Sequence, residues 1–367
     1  MKGNEVLAEA AIRCGCDGYF GYPITPQSEV METLMLRKPW EETGMVVLQA
    51  ESEVAAINMV YGAAGAGRKA MTSSSSPGVS LKMEGISYIA GAELPCLIVN
   101  VQRGGPGLGT IQPSQADYFQ AVKGGGHGDY KLIVLAPSSV QEMNDFVDLA
   151  FNLAFKYRNP AMILADGALG QMMEKVELAD YKPRWTAEEV KAISGSWATI
   201  GKTSDRSNNI ITSLEMDSAK MEANNLRFQE KYRKMEEEET RFEELECDDA
   251  EFILVAFGTS ARVCQKSVEL ARNKGLKVGL LRPITLFPFP KAAIKNLARH
   301  SLGFMSVEMS AGQMVEDIKL AVYEAGSNAR VNYFGRMGGI IPTPEEVVEA
   351  LEEKFSWELN YGVKRSY

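Results

Sequence analysis

The chain has 367 residues, 45% apolar and 24% charged, with a net charge of −9. That balance describes a globular chain long enough for two ordinary domains. It excludes the basic footprint of a nucleic-acid-binding protein, and no run of roughly 18 apolar residues offers a membrane span.

The opening stretch MKGNEVLAEAAIRCG lacks the apolar core and small-residue cleavage site of a signal peptide, so a cytoplasmic location is expected. Residues 1–182 read as alternating helices and short buried strands. Asn4 to Cys14 is a helix with apolar periodicity, and Gly18 to Tyr22 a short strand. Thr25-Pro26 has the form of a helix start, Thr as N-cap and Pro at the first helical position. Met45 to Leu48 reads as a strand and Glu53 to Tyr61 as the opening of a helix. Leu94 to Val101, Lys131 to Ala136 and Ala161 to Leu164 read as strands, with a helix from Val140 to Tyr157 before the last. This α/β alternation implies a parallel sheet with helices on both faces, whose ligands gather at the carboxyl ends of the strands.

Residues 183–248 differ. They are polar and end in the acidic run Glu236 to Glu239, while Leu214, Met221, Phe228, Met235 and Phe242 recur every seven residues. One narrow apolar stripe on a long helix is expected, packed on its own chain or on a partner. Its second seam, Asn225, Tyr232 and Glu239, is too polar for a coiled coil. Residues 249–367 return to α/β alternation. Strands are expected at Glu251 to Phe257, Lys277 to Arg282, Leu302 to Glu308 and Arg330 to Phe334. Helices run to Lys274 and from Met314 to Ala325, and Thr343 caps the last.

Several motifs have plain explanations. Gly65-Ala66-Gly67-Arg68-Lys69-Ala70 fits a dinucleotide fingerprint but follows a helix rather than a strand, so it reads as a glycine-capped helix end. Ala165-Asp166-Gly167 has the Asp-Gly of a magnesium–diphosphate motif. Its Asn partner is missing, since none occurs between Asn159 and Asn208. Five cysteines without a CxxC pair point to free buried thiols rather than a disulfide framework or an iron–sulfur cluster. The only histidines, His127 and His300, cannot make a histidine metal site; His127 sits in a glycine loop, where a structural role is the simpler reading. Taken singly, Thr25 is an N-cap and Glu53 a first-turn acid favoured by the helix dipole. Arg103, at a strand end beside a glycine-rich loop, suits a carboxylate ligand.

Order changes their weight. YPITP (22–26), ESEVAAINMVYGAAGAG (51–67), TSSSSPG (72–78) and AELPCLIVNVQRGGPGLGTIQPSQADYFQA (92–121) together resemble the alpha subunit of 2-oxoacid:ferredoxin oxidoreductases, most of all the branched-chain, 2-oxoisovalerate members. The likeness is dense over residues 3 to 180 and looser at VAFGT (255–259) and LRPITLFP (281–288). It implies the thiamine-diphosphate-binding fold: a pyrimidine-type domain plus a transketolase C-terminal-like α/β domain that serves mainly assembly. Glu53 then falls on the acid that meets the cofactor's pyrimidine ring, with Pro23 and Ile24 beside that ring. Glu51 is its rival by two residues, and the register of Gly62-Ala63 favours Glu53. A carboxyl there shares a proton with the ring N1′. Thr25 falls on the substrate-contacting Thr and Arg103 on the Arg for the substrate carboxylate.

The resemblance also implies oxidative decarboxylation of a 2-oxoacid, electrons passing singly to iron–sulfur clusters and the acyl group to coenzyme A. Clusters, magnesium and the diphosphate site would belong to partners: a beta subunit, a ferredoxin-like iron–sulfur subunit and a gamma subunit, with ferredoxin as acceptor. A 2-oxoglutarate enzyme, a lipoyl-dependent dehydrogenase component and a non-catalytic scaffold or nucleotide-binding subunit remain the alternatives.

Overall fold

The computed structural model describes residues 1–361 except 203 and 205. Helix α1 (Gly3–Arg13) is almost wholly buried from Val6 to Ile12. Then follow β1 (Gly18–Gly21), α2 (Ser28–Arg37), α3 (Pro39–Glu42), β2 (Val46–Gln49), α4 (Glu53–Gly65), β3 (Ala70–Ser74) and α5 (Pro77–Gly91). They are succeeded by β4 (Leu97–Gln102), α6 (Tyr118–Val122), β5 (Ile133–Leu135), α7 (Val140–Tyr157), β6 (Ala161–Asp166) and α8 (Gly167–Gln171). The later part carries α9 (Ala187–Ser194), α10 (Ser218–Glu238), β7 (Phe242–Leu245), β8 (Phe252–Val255), α11 (Gly258–Asn273), β9 (Val278–Pro283) and β10 (Thr285–Phe287). It ends with α12 (Lys291–Leu297), β11 (Gly303–Glu308), α13 (Met314–Glu324), β12 (Arg330–Gly335), α14 (Pro344–Lys354) and α15 (Ser356–Tyr361).

Two sheets result. The first has seven strands in the order β10-β5-β6-β4-β3-β1-β2, the second five in the order β12-β11-β8-β9-β7. Strands β1 to β6 pair in parallel, and β4 and β6 are buried along their whole length. Their apolar runs suit a sheet covered on both faces. Each sheet gains one antiparallel edge, β10 on β5 and β7 on β9. Because β10 lies in the later part of the chain yet completes the first sheet, the two sheets are tied together by the backbone itself.

Side chains strengthen that tie. Thr259 Oγ1 donates to Asp166 at 2.7 Å, Ser260 Oγ to Gln115 Oε1 at 2.7 Å, and Tyr118 Oη to Asp317 at 2.7 Å. Local signals act where expected. Ser52 caps α4, Ser139 caps α7, and Thr343 with Glu346 forms a capping box on α14.

Two expectations fail. Thr25 does not cap a helix: α2 begins at Ser28, with Gln27 before it. The Thr25 carbonyl is taken by Arg103 and the Pro26 carbonyl by Asn4, so the chain makes another turn first, Gln27 N–H to Ile24 O. Nor is the seven-residue repeat one helical stripe. Leu214 is exposed before α10 begins and Phe242 lies on β7, leaving only Phe228 and Met235 buried on the helix, beside Tyr232. Tyr232, from the seam judged too polar, is what meets the body, edge-on to Phe287 at 6.1 Å. Lys231 adds an ion pair with Glu93 at 3.2 Å. The helix therefore lies on its own chain.

Candidate functional site

The first sheet runs from β1 out to β2, then back past β1 to β3, so the loops after β1 and β3 splay apart. Such a reversal opens a crevice at the carboxyl edge of a parallel sheet. All of the expected site residues lie there. Tyr22 to Thr25 follow β1, Glu53 follows β2, Ser76 to Gly78 follow β3, and Arg103 follows β4. Pro23 and Thr25 are exposed in this edge and Ile24 is half-buried.

Arg103 is brought directly to Thr25. Its Nη1 donates to the Thr25 carbonyl at 2.8 Å and its Nη2 to the Leu108 carbonyl at 3.0 Å. Arg103 Nε is buried with no partner among the described residues. A guanidinium carries five N–H donors, so this one is aimed yet unsaturated. Behind it, the Ser76 hydroxyl accepts from Arg103 N–H at 3.0 Å and donates to Asp117 at 2.6 Å, and Asn100 donates to Asp117 at 2.9 Å. Burial pushes the Asp117 carboxyl above its usual range, against the lowering effect of those two bonds. Ser76 has φ 27° and ψ −84°, a conformation costing roughly 1–3 kcal/mol for a residue with a side chain. Asn100 Oδ1 accepts from its N–H at 3.1 Å and helps to hold it there.

Glu53 is the first residue of α4 and 7% exposed, whereas Glu51 is exposed and bonded to Ser52. No described residue donates a hydrogen bond to the Glu53 carboxylate. Its wall is Gly78: a Cβ there would stand 2.2 Å from Ser74 Oγ and 2.8 Å from Glu53 Oε1. Ser74 Oγ and Ser75 Oγ are likewise buried without partners among the described residues. One turn beyond Gly78 on α5, Lys82 is fully buried. Its ammonium donates to Thr72 Oγ1 at 2.6 Å and to the Ser73 carbonyl at 3.2 Å. Burial pushes its pKa down to about 7, opposed by the Glu53 charge. Ser73 Oγ in turn joins Tyr19 and Gln27, and Gln27 reaches the Tyr22 carbonyl. The floor of the site is thus a polar network under β3, linking Lys82 to the turn that carries Thr25.

Sequence reasoning missed Lys82, although its signal was present. Val79, Lys82, Met83, Ile86 and Ile89 share the buried face of α5, so a lysine interrupts an apolar stripe. It also gave the later α/β part no place in the site. Met309 and Met337 from that part line a cavity of about 940 Å³ together with Arg103, Leu81, Pro106 and Asp117.

Asp166 is fully engaged elsewhere. Both its oxygens accept bonds, from Ala168 and Leu169 N–H at the start of α8 and from Thr259. His127 is exposed, 3.4 Å from Ser87 and edge-on to Tyr88. Residues 65–70 run from the last residue of α4 through a turn with Gly67 at φ 73° to the first residue of β3. All five cysteines are free and buried.

Comparison with known proteins gives two family models. That of the pyruvate flavodoxin/ferredoxin oxidoreductase, thiamine diphosphate-binding domain, matches residues 9–246, and that of the pyruvate:ferredoxin oxidoreductase core domain II matches residues 250–347. The ketoisovalerate oxidoreductase subunit VorB of Methanothermobacter thermautotrophicus is 51% identical over 358 residues, 96% of this chain and 97% of that protein. The 2-oxoglutarate synthase subunit KorA of Methanocaldococcus jannaschii is 36% identical over 371 residues, 96% of this chain and 98% of that one. Among solved structures, a 2-oxoglutarate:ferredoxin oxidoreductase from Magnetococcus marinus, with 2-oxoglutarate, coenzyme A and succinyl-CoA bound, superposes with a TM-score of 0.80 at 27% identity. That match covers 96% of this chain and 64% of the longer one.

Proposed function

Since this chain belongs to the 2-oxoacid:ferredoxin oxidoreductases as an alpha-type subunit, we propose that it supplies Glu53, Thr25 and Arg103 to a thiamine diphosphate site that oxidatively decarboxylates 2-oxoisovalerate. The observation that carries the reading is the pairing of an aimed, unsaturated Arg103 on Thr25 with a buried Glu53 that no described residue bonds.

The residues fit the cofactor's pyrimidine end. Gly78 keeps the space beside the Glu53 carboxylate free of a side chain, and that carboxylate is available to a donor from outside the chain. When bound, thiamine diphosphate supplies the carbon nucleophile for the 2-oxo group and the sink for the electrons left as carbon dioxide departs. Glu53 would meet the pyrimidine N1′ and exchange a proton with it. Pro23 and Ile24 would lie beside the ring. The Thr25 hydroxyl and the Arg103 guanidinium hold the substrate, Arg103 at its carboxylate.

Asp166 does not fit a magnesium–diphosphate role, because Thr259 and the start of α8 occupy both its oxygens. Magnesium, the diphosphate site and iron–sulfur clusters are accordingly assigned to a beta subunit and a ferredoxin-like subunit with a gamma subunit, in a cytoplasmic complex that passes electrons to ferredoxin. Coenzyme A receives the acyl group. Partner dependence is supported by apolar surface around Glu53: Val46 and Leu48 on the edge strand β2, Val54 on α4 and Leu81 on α5 are all exposed.

Among the described residues, Arg103 is the one cation lining the 940 Å³ cavity, where Leu81, Met309 and Met337 supply apolar walls. One carboxylate and an apolar tail suit that lining better than two carboxylates. The test is affinity capture of this chain with its partners, cofactor and metal analysis, and a substrate screen by dye reduction. Thiamine diphosphate, an iron–sulfur subunit and a preference for 2-oxoisovalerate support the reading. Preference for 2-oxoglutarate, or co-purification of a lipoyl protein, sinks it.

A further inference from the structure

A turn of the later α/β part lies against the loop that carries Arg103. Strand β12 ends at Gly335, and residues 336–341 then meet residues 104–112. The Arg103 loop is a closed unit: Gly104 N–H donates to the Gln112 carbonyl at 2.9 Å and Thr110 N–H to the Gly104 carbonyl at 2.8 Å. The two segments touch through their backbones. A Cβ on Gly104 would stand 3.3 Å from Gly338 C and from Gly339 N, and one on Gly339 would run into Gln112 Cβ. The turn is also anchored at its start. Arg336 N–H donates to the Glu308 carbonyl at 3.1 Å, and the Arg336 guanidinium pairs with Glu346. The same loop holds Arg103 through the Leu108 carbonyl. The turn is therefore placed relative to Arg103 by backbone contact rather than by flexible side chains.

Met337 is the side chain that this turn presents to the cavity beside Arg103. The other methionine there, Met309, is 1% exposed, and its backbone is bonded to Gln115 at both N–H and carbonyl, so it belongs to the packed floor. Met337 is 57% exposed and can be exchanged without opening the core. Among the described residues lining this space, Arg103 is the one cation and Asp117 the one acid. A substrate whose 2-oxo carboxylate sits on Arg103 leaves its tail to the thioethers and Leu81. An alkyl branch buries apolar surface there, and an unbranched thioether adapts to its shape. A second carboxylate would lose water, find no cation and face Asp117.

We propose that Met337 is a specificity-determining residue of the site: carried to Arg103 by the later part of the chain, it packs on the branched alkyl tail of the 2-oxoacid and disfavours a second carboxylate. The proposal rests on the substrate reading given above and deepens it.

The experiment measures kcat and KM of the assembled complex for 2-oxoisovalerate, 2-oxoglutarate and phenylpyruvate by viologen reduction. Met337→Lys supplies a cation for a distal carboxylate. Its kcat/KM for 2-oxoglutarate relative to 2-oxoisovalerate rises about tenfold or more, through KM, the scale of a gained charged hydrogen bond. Met337→Ala removes the contact and leaves room. Its KM for 2-oxoisovalerate rises about threefold to tenfold with kcat changed less than about twofold, and phenylpyruvate gains about tenfold relative to 2-oxoisovalerate. Substrate ratios within about twofold of wild type in both variants would overturn the proposal, leaving Met337 a surface residue. Should the lysine variant lose turnover on every substrate, the alanine variant decides by the same criterion. A wild-type complex that prefers 2-oxoglutarate fails the substrate reading itself. A wild type that prefers 2-oxoisovalerate, with unmoved ratios in the variants, fails only this inference.

Discussion

Two backbone carbonyls, of Thr25 and Leu108, hold Arg103 in place before any ligand arrives. Pre-orientation of this kind lowers the ordering cost of binding, so the guanidinium's value should appear as substrate affinity. Arg103→Gln is expected to raise the KM for the 2-oxoacid about 10- to 100-fold, the equivalent of roughly 1.5–3 kcal/mol for a charged hydrogen bond. Steady-state dye reduction checks it.

Lys82 makes a separate prediction about stability. Its ordinary value of 10.5 falls to about 7 in the folded chain. Between those values the unfolded chain keeps a proton that the folded chain has released. Its contribution therefore disfavours folding most below pH 7 and becomes less unfavourable as pH rises toward 10.5, at up to about 1.4 kcal/mol per pH unit. Urea unfolding at pH 7 and 8.5 should show the wild type gaining on Lys82→Met; parallel values contradict it. At this scale the sequence was unevenly legible. Glu53 stood out because Ser52 and an apolar run mark a helix start. Thr25 carried the same helix-start signal and misled, because its carbonyl serves Arg103, 78 residues away. Long-range claims on a backbone group leave no local trace.

Among the elements, α5 sets the site's geometry. Its approach to α4 is possible only because position 78 has no side chain: Gly78→Ala would drive a Cβ to 2.2 Å from Ser74 Oγ and toward Glu53. Thiamine diphosphate affinity in the complex is expected to fall at least about tenfold, the equivalent of 1.4 kcal/mol of displacement, with assembly retained. Helix α10 supplies a second test. Met235 is fully buried and Leu226 largely exposed. Met235→Ala should cost about 2–5 kcal/mol and Leu226→Ala less than about 0.5, read by thermal unfolding. The helices with clear caps and the buried strands were legible in the sequence because their signals are local. The short edge strands β10 and β7 were not. Three or four residues carry little periodicity, and their partners lie far away in sequence.

Across the whole molecule, the later α/β part was expected to serve mainly assembly and offered no catalytic residue. Met309 and Met337 from that part face Arg103 across one cavity, and Asp166–Thr259 and Gln115–Ser260 bonds fix its position. Thr259→Val leaves Asp166, wholly buried, short of one acceptor bond. It should destabilise the chain by about 1–3 kcal/mol and raise the KM more than it lowers kcat. The family and the fold were readable because the motifs are long and ordered. The cavity was not, because it exists only where segments distant in sequence meet.

The central claim is that Glu53 is the acid–base group this chain lends to a shared thiamine diphosphate site. Its most direct test is 2-oxoisovalerate-dependent viologen reduction by the assembled complex carrying Glu53→Gln, with subunit composition measured on the same preparation. The account predicts intact assembly and a rate lower by about 100-fold or more, the scale of a lost proton-transfer group. An intact complex that reduces the dye at the wild-type rate contradicts it.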